Sequence, residues 1–147
     1  MALLNYTTTI SPEKSINEIQ STLAKSGASA IMSEYDDTGN IVALSFRLKM
    51  DDQFISFKLP TDWKPVQAVL TEQRRRNSRI KTDEAQARRV AWRITKDWVE
   101  AQLAIIETRM VTTAQVFLPY AVTQNGQTMY EHVASNTSLL LTTGTSQ

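Results

Sequence analysis

The stretch from Asp83 to about Met110 constrains this chain more than any other. Thr82, Asp83 and Glu84 open it, with acids placed where a helix dipole favours them. Set at about 100° steps, Val90, Ala91, Ile94, Trp98, Val99, Ala101, Ile105 and Ile106 fall within roughly one half-circle. Trp92, Leu103 and Met110 widen the apolar arc to about 220°. Arg89, Arg93, Lys96, Asp97, Glu100 and Glu107 keep to the remaining sector. A helix apolar over more than half its circumference is either central to the fold or shared with a second subunit. The other segments offer partial cover, so apolar surface around Trp92, Val99, Leu103 and Met110 is expected to drive a homo-oligomer, most simply a dimer.

Upstream, the period of the apolar residues changes twice. Leu4, Tyr6, Thr8 and Ile10 share one face of Leu3–Ile10, which predicts an N-terminal strand. Ser11-Pro12-Glu13 then supplies an N-cap, a proline suited to the first helical position and a first-turn acid. Ile16, Ile19 and Leu23 recur at helical spacing before Gly27, giving a helix over about residues 12–26. Ser29–Tyr35, Val42–Lys49 and Phe54–Leu59 read as strands separated by turn-rich Asp36–Asn40 and Met50–Gln53. Three such runs predict an antiparallel meander covered on its apolar face by the helix. Val42, Leu44, Phe46 and Leu48 face that helix, and Phe54, Ser56 and Lys58 face away.

Beyond Pro60, Asp62 caps a shorter helix carrying Val66, Val69 and Leu70, and residues 74–81 read as a basic connector. A turn at Asn125-Gly126 and a short helix over Thr128–Ala134 follow the long helix. The fold class is therefore α+β: an N-terminal strand and helix, a three-strand antiparallel meander, then two or more helices with one long central helix. Residues 1–136 form a single domain and 137–147 a mobile Ser/Thr-rich tail.

The chemistry is restricted. The absence of cysteine excludes disulfides, thiolate zinc sites and thiol catalysis. His132 is the lone imidazole and lacks the partners a nucleophilic triad needs. Asp36-Asp37 and Asp51-Asp52 read as solvated hairpin turns rather than cation ligands, and the isolated glycines build no phosphate loop. The expectation is no catalytic residue, no metal and no cofactor. No apolar run approaches the roughly 18 residues of a membrane span, and no signal-like segment opens the chain. A cytoplasmic location without membrane contact is expected.

Charge is the one polar feature above background. Arg74, Arg75, Arg76, Arg79, Lys81, Arg88, Arg89, Arg93 and Lys96 face only Asp83 and Glu84 within residues 74–96, in a chain of net charge +1. Seven of these nine cations are arginine, which suits bidentate phosphate contacts and stacking on bases. Such a segment fits nucleic acid, an acidic protein partner, or a solvated helix face in which Arg93 meets Asp97 and Lys96 meets Glu100. Phe54 and Trp63 are the candidate stacking residues. Phe54 would share an outward sheet face with Arg47, Lys49 and Lys58, a mixture that suits single strands.

The segment Ala91-Trp92-Arg93-Ile94-Thr95-Lys96-Asp97-Trp98-Val99-Glu100-Ala101-Gln102, with Phe117-Leu118-Pro119-Tyr120, resembles a group of small uncharacterised proteins from phages and integrated mobile elements. Met1-Ala2-Leu3-Leu4-Asn5-Tyr6 and Tyr35-Asp36-Asp37 extend that likeness across most of the chain. It implies a bacterial or phage setting and no catalytic residues. In topology alone, the order helix, meander, long helix is similar to the core of ring-forming single-strand annealing proteins. The functional expectation is a non-enzymatic nucleic-acid-binding accessory protein of a phage or mobile element, acting as a homo-oligomer. The alternative is a protein-binding module, such as a phage inhibitor of a host or defence enzyme.

Overall fold

Helix α1 spans Pro12–Lys25 in the computed structural model, which describes residues 1–140. Its start follows from Ser11, whose hydroxyl accepts the Lys14 N–H at 3.1 Å, and from Pro12 in the first turn. Ile16, Ile19 and Leu23 are buried on its inner face, and Gly27 takes φ 100° just past its end.

The meander comprises β1 (Ala30–Tyr35), β2 (Ile41–Met50) and β3 (Gln53–Pro60), in the order β1-β2-β3, with both pairs antiparallel. Asp51 and Asp52 take φ 47° and 67° between β2 and β3, as a two-residue primed turn requires. Ile31, Phe46 and Phe57 align across the three strands, and Ser33, Leu44 and Leu59 align beside them. On this inner face Leu44, Phe46, Leu48, Phe57 and Leu59 are buried.

Asp36 and Asp37 lie in the β1–β2 turn. The Asp36 carboxylate accepts the Thr38 hydroxyl at 2.7 Å and the Thr38 and Asn40 N–H groups at 2.9 and 3.0 Å. The Thr38 hydroxyl, then the Asn40 N–H, hold this carboxyl below its ordinary pKa of 3.8, with Arg88 adding a smaller attraction.

The remaining helices follow the sheet. Helix α2 (Trp63–Arg74) begins at Asp62, which caps Lys64, and helix α3 (Glu84–Glu107) follows Asp83. Helices α4 (Thr113–Phe117) and α5 (Met129–Ala134) are short, each opened by a capping box, Thr112 with Gln115 and Thr128 with Glu131. The Thr128 N–H and hydroxyl lower the Glu131 pKa below 4.5. Both depressed carboxyls stabilise the fold above their ordinary values, and that contribution disappears as pH falls through their folded values. Asp36→Asn with Glu131→Gln should therefore flatten the acid limb of a stability–pH profile below about pH 4.5. Denaturant unfolding across that range checks it.

The wide arc of α3 is occupied within one chain. Trp92, Val99 and Leu103 join α1, the sheet, Phe117 and Ala121 in one cluster. Ala87 and Val90 join Leu70 and Ile80 in a second cluster, against which Leu3, Tyr6, Trp63, Val66 and Ile94 pack. Phe46, Phe57 and Phe117 pack with ring centroids 5.5–5.8 Å apart. This corrects the expected subunit interface: Trp92, Val99 and Leu103 are 2%, 0% and 9% exposed, and of that set Met110 alone is open, at 73%. One helix meets two clusters on different sides, so its width reflects a central position.

The N-terminal strand is also corrected. Residues 4–7 form turns, with Tyr6 N–H bonded to Leu3 O, Thr8 N–H to Asn5 O, and Asn5 at φ 63°. Helix side chains satisfy this backbone instead of a sheet neighbour. Gln73 Oε1 accepts the Leu3 N–H at 3.0 Å, and Gln86 Nε2 donates to Tyr6 O and Thr8 O at 3.0 and 3.1 Å. The expected tail begins with a 3-10 turn over Thr137–Leu139, and its last seven positions lie outside the described residues.

Candidate functional site

The nine clustered cations divide into two groups. Arg88 and Arg93 have side chains only 13% exposed, and both are engaged by carboxylates of this chain. Arg88 lies 2.8 Å from Glu84 and 3.6 Å from Asp36, with its guanidinium 5.2 Å from the Trp63 ring centre. Arg93 donates to Glu18 at 2.6 Å and to Ser15 Oγ at 3.2 Å, tying α3 to α1. Lys96 meets Glu100 at 2.5 Å, the expected i,i+4 pair. The expected pairing of Arg93 with Asp97 is replaced, because Asp97 accepts from Asn5 Nδ2 at 2.8 Å while Glu18 faces Arg93 from α1. Arg88 and Arg93 fasten separate elements of the fold, Lys96 is paired within its own helix, and all three are withdrawn from the binding set.

In the second group all but the half-buried Arg89 are exposed. Arg74 closes α2; Arg75, Arg76, Arg79 and Lys81 follow in the connector, and Arg89 projects from the second turn of α3. Arg75 approaches Glu72 at 3.5 Å with both side chains exposed, a pairing that competes weakly with other anions. Among the described residues, no carboxylate lies within ion-pair distance of Arg74, Arg76, Arg79, Lys81 or Arg89.

Part of this group surrounds a pocket of about 430 Å³. Thr7, Thr8 and Thr9 line it from the N-terminal segment, and Asn77, Arg79 and Lys81 from the connector. Arg89 and the buried Ile80 and Gln86 also line it. Gln86 has two roles there: its amide nitrogen holds the N-terminal segment, and its Oε1 accepts from Arg89 Nε at 2.9 Å. The sequence reading found the cations but missed the pocket. Treating Leu3–Ile10 as a strand placed the threonines in a sheet, and the informative residue was Gln86, a polar side chain on a helix face otherwise bound for the core.

The stacking candidates separate. Phe54 is 57% exposed on the outer sheet face, directly across from Lys49, with Arg47 5.1 Å from its ring centre. Arg47, Lys49, Phe54 and Lys58 do share that face, as alternation predicted. Lys58 is paired with Glu34 at 3.3 Å, however, so the face is mixed in charge. Trp63 is half-buried against the second cluster, and Arg88 lies over its ring. His132 lies exposed in the last turn of α5. Among the described residues, no helix is long and apolar enough to cross a membrane. None of the family models, curated proteins or solved structures compared with the chain matches it.

Proposed function

We propose that this chain binds nucleic acid through its phosphates, at the corner built by Arg74, Arg75, Arg76, Arg79, Lys81 and Arg89, and performs no reaction on it. The observation that carries the reading is that, among the described residues, no carboxylate lies within ion-pair distance of five of these cations, while the neighbouring Arg88, Arg93 and Lys96 are all paired. Clustered, unpaired arginines favour a polyanion and supply the salt-dependent part of nucleic-acid affinity. Resemblance to phage and mobile-element proteins fits an accessory role of this kind. An acidic protein surface is the competing partner, and the regular spacing of phosphates along a strand separates the two by their salt response. The reading requires no second copy, since Trp92, Val99 and Leu103 of the expected interface belong to the core and Met110 alone is exposed.

Arg74→Ala, Arg75→Ala and Arg76→Ala combined should weaken binding to a single-stranded oligonucleotide and lower the dependence of affinity on salt. Arg93→Ala should instead leave the salt dependence intact and cost about 1–2 kcal/mol of stability, because Glu18 loses a charge-assisted partner while keeping some solvent. Fluorescence anisotropy for the first and denaturant unfolding for the second check both outcomes. An Arg93 variant that loses binding like the triple variant would overturn the division of the cluster.

A further inference from the structure

We infer that the pocket between Thr7–Thr9 and the α2–α3 connector is a subsite for the terminal phosphate of a strand, a phosphate monoester. This rests on the nucleic-acid reading and adds to it which part of the strand is recognised. Four features of the pocket lead there.

The first is size. The lining comes from the N-terminal segment, the connector and the start of α3, and includes the buried Ile80 and Gln86. The volume of about 430 Å³ lies in the range of small-ligand pockets and suits a phosphate with its attached nucleoside.

The second is charge. Arg79, Lys81 and Arg89 line the pocket, and no carboxylate is among its lining residues. A monoester carries a charge of about −1.5 to −2 near neutral pH, against a single charge on each diester. The more charged group gains more from three converging cations.

The third is orientation. Arg89 directs its Nε to Gln86 Oε1, which fixes the guanidinium and leaves both terminal nitrogens for a two-pronged contact with phosphate oxygens. The fourth is the supply of neutral donors. Thr8 Oγ1 accepts the Ile10 N–H at 3.1 Å and so keeps its own hydrogen available. Thr7, Thr9 and Asn77 add polar groups around the same space.

The test uses the full chain and one short single strand in three forms: 5′-phosphorylated, 3′-phosphorylated and hydroxyl at both ends. One phosphorylated form should bind about tenfold more tightly than the hydroxyl form, and that ratio should shrink below about pH 6 as the monoester takes up its second proton. Arg79→Ala, in the exposed connector, should bring the ratio close to one, and Arg89→Ala should do the same. If the latter variant fails to fold, the former decides alone. Equal binding of all three forms by the wild type would overturn the terminal-phosphate subsite and leave the nucleic-acid reading standing. A phosphate preference that survives in Arg79→Ala would also overturn it. Failure of every form to bind would remove both.

Discussion

Phe46→Ala should lower stability by about 3–5 kcal/mol, the cost of truncating a buried aromatic side chain. Phe46 is 2% exposed and packs against Phe57 and Phe117 at centroid distances of 5.5 Å each, so removing it opens a cavity where β2, β3 and α4 meet. Its neighbour Arg47 points to the other face, where it contacts Ser29 and Phe54 in solvent. Arg47→Ala should cost less than about 1 kcal/mol. Chemical denaturation of both variants provides the comparison, and similar losses at the two positions would contradict the assigned faces of β2.

Trp92→Glu should abolish folding and leave no soluble, ordered monomer. The indole sits in the cluster shared by α1, the sheet and α3, and a carboxylate there would have neither solvent nor a cation partner. Burying an unpaired charge costs more than a domain of this size has in reserve. Leu103→Glu, lower on the same helix, should act in the same direction, tempered by its position nearer the edge of the core. Circular dichroism with light scattering reads both. A folded, monomeric Trp92→Glu protein derived from an oligomeric wild type would mean that the residue lies between subunits.

The legible parts of this fold were those in which local signals agreed. Ser11-Pro12 fixed the start of α1, alternation fixed the inward Leu44, Phe46 and Leu48 of β2 but failed at its start, where Ala43 is buried and Val42 only half-buried, and Asp62 and Asp83 marked the starts of α2 and α3. Leu3–Ile10 misled because alternation describes only side chains. The backbone of that segment found Gln73 and Gln86 rather than a strand partner, and those residues lie about 70–80 positions away. The arc of α3 misled for a related reason. A helical projection reports how much surface is apolar, but not that the surface is divided between Trp92, Val99 and Leu103 on one side and Ala87 and Val90 on the other.

The candidate site was half legible. The run of basic residues stands out in sequence, but which of them are free depends on Glu18, Asp36, Glu84 and Glu100 reaching back to Arg93, Arg88 and Lys96. Two of those acids come from α1 and the β1–β2 turn, far from the cluster along the chain. Pairing of that kind has no signature in spacing.

The most direct measurement is the affinity of the wild-type chain for a single strand across a series of salt concentrations. If, on a strand with hydroxyl ends, Arg74, Arg75, Arg76, Arg79, Lys81 and Arg89 each neutralise a backbone phosphate, the logarithm of the binding constant should fall against the logarithm of salt with a slope of about −4. Replacing the first three with alanine should bring that slope to about −2. No detectable binding near 50 mM salt, or a slope the triple substitution leaves unchanged, would contradict a phosphate-binding corner.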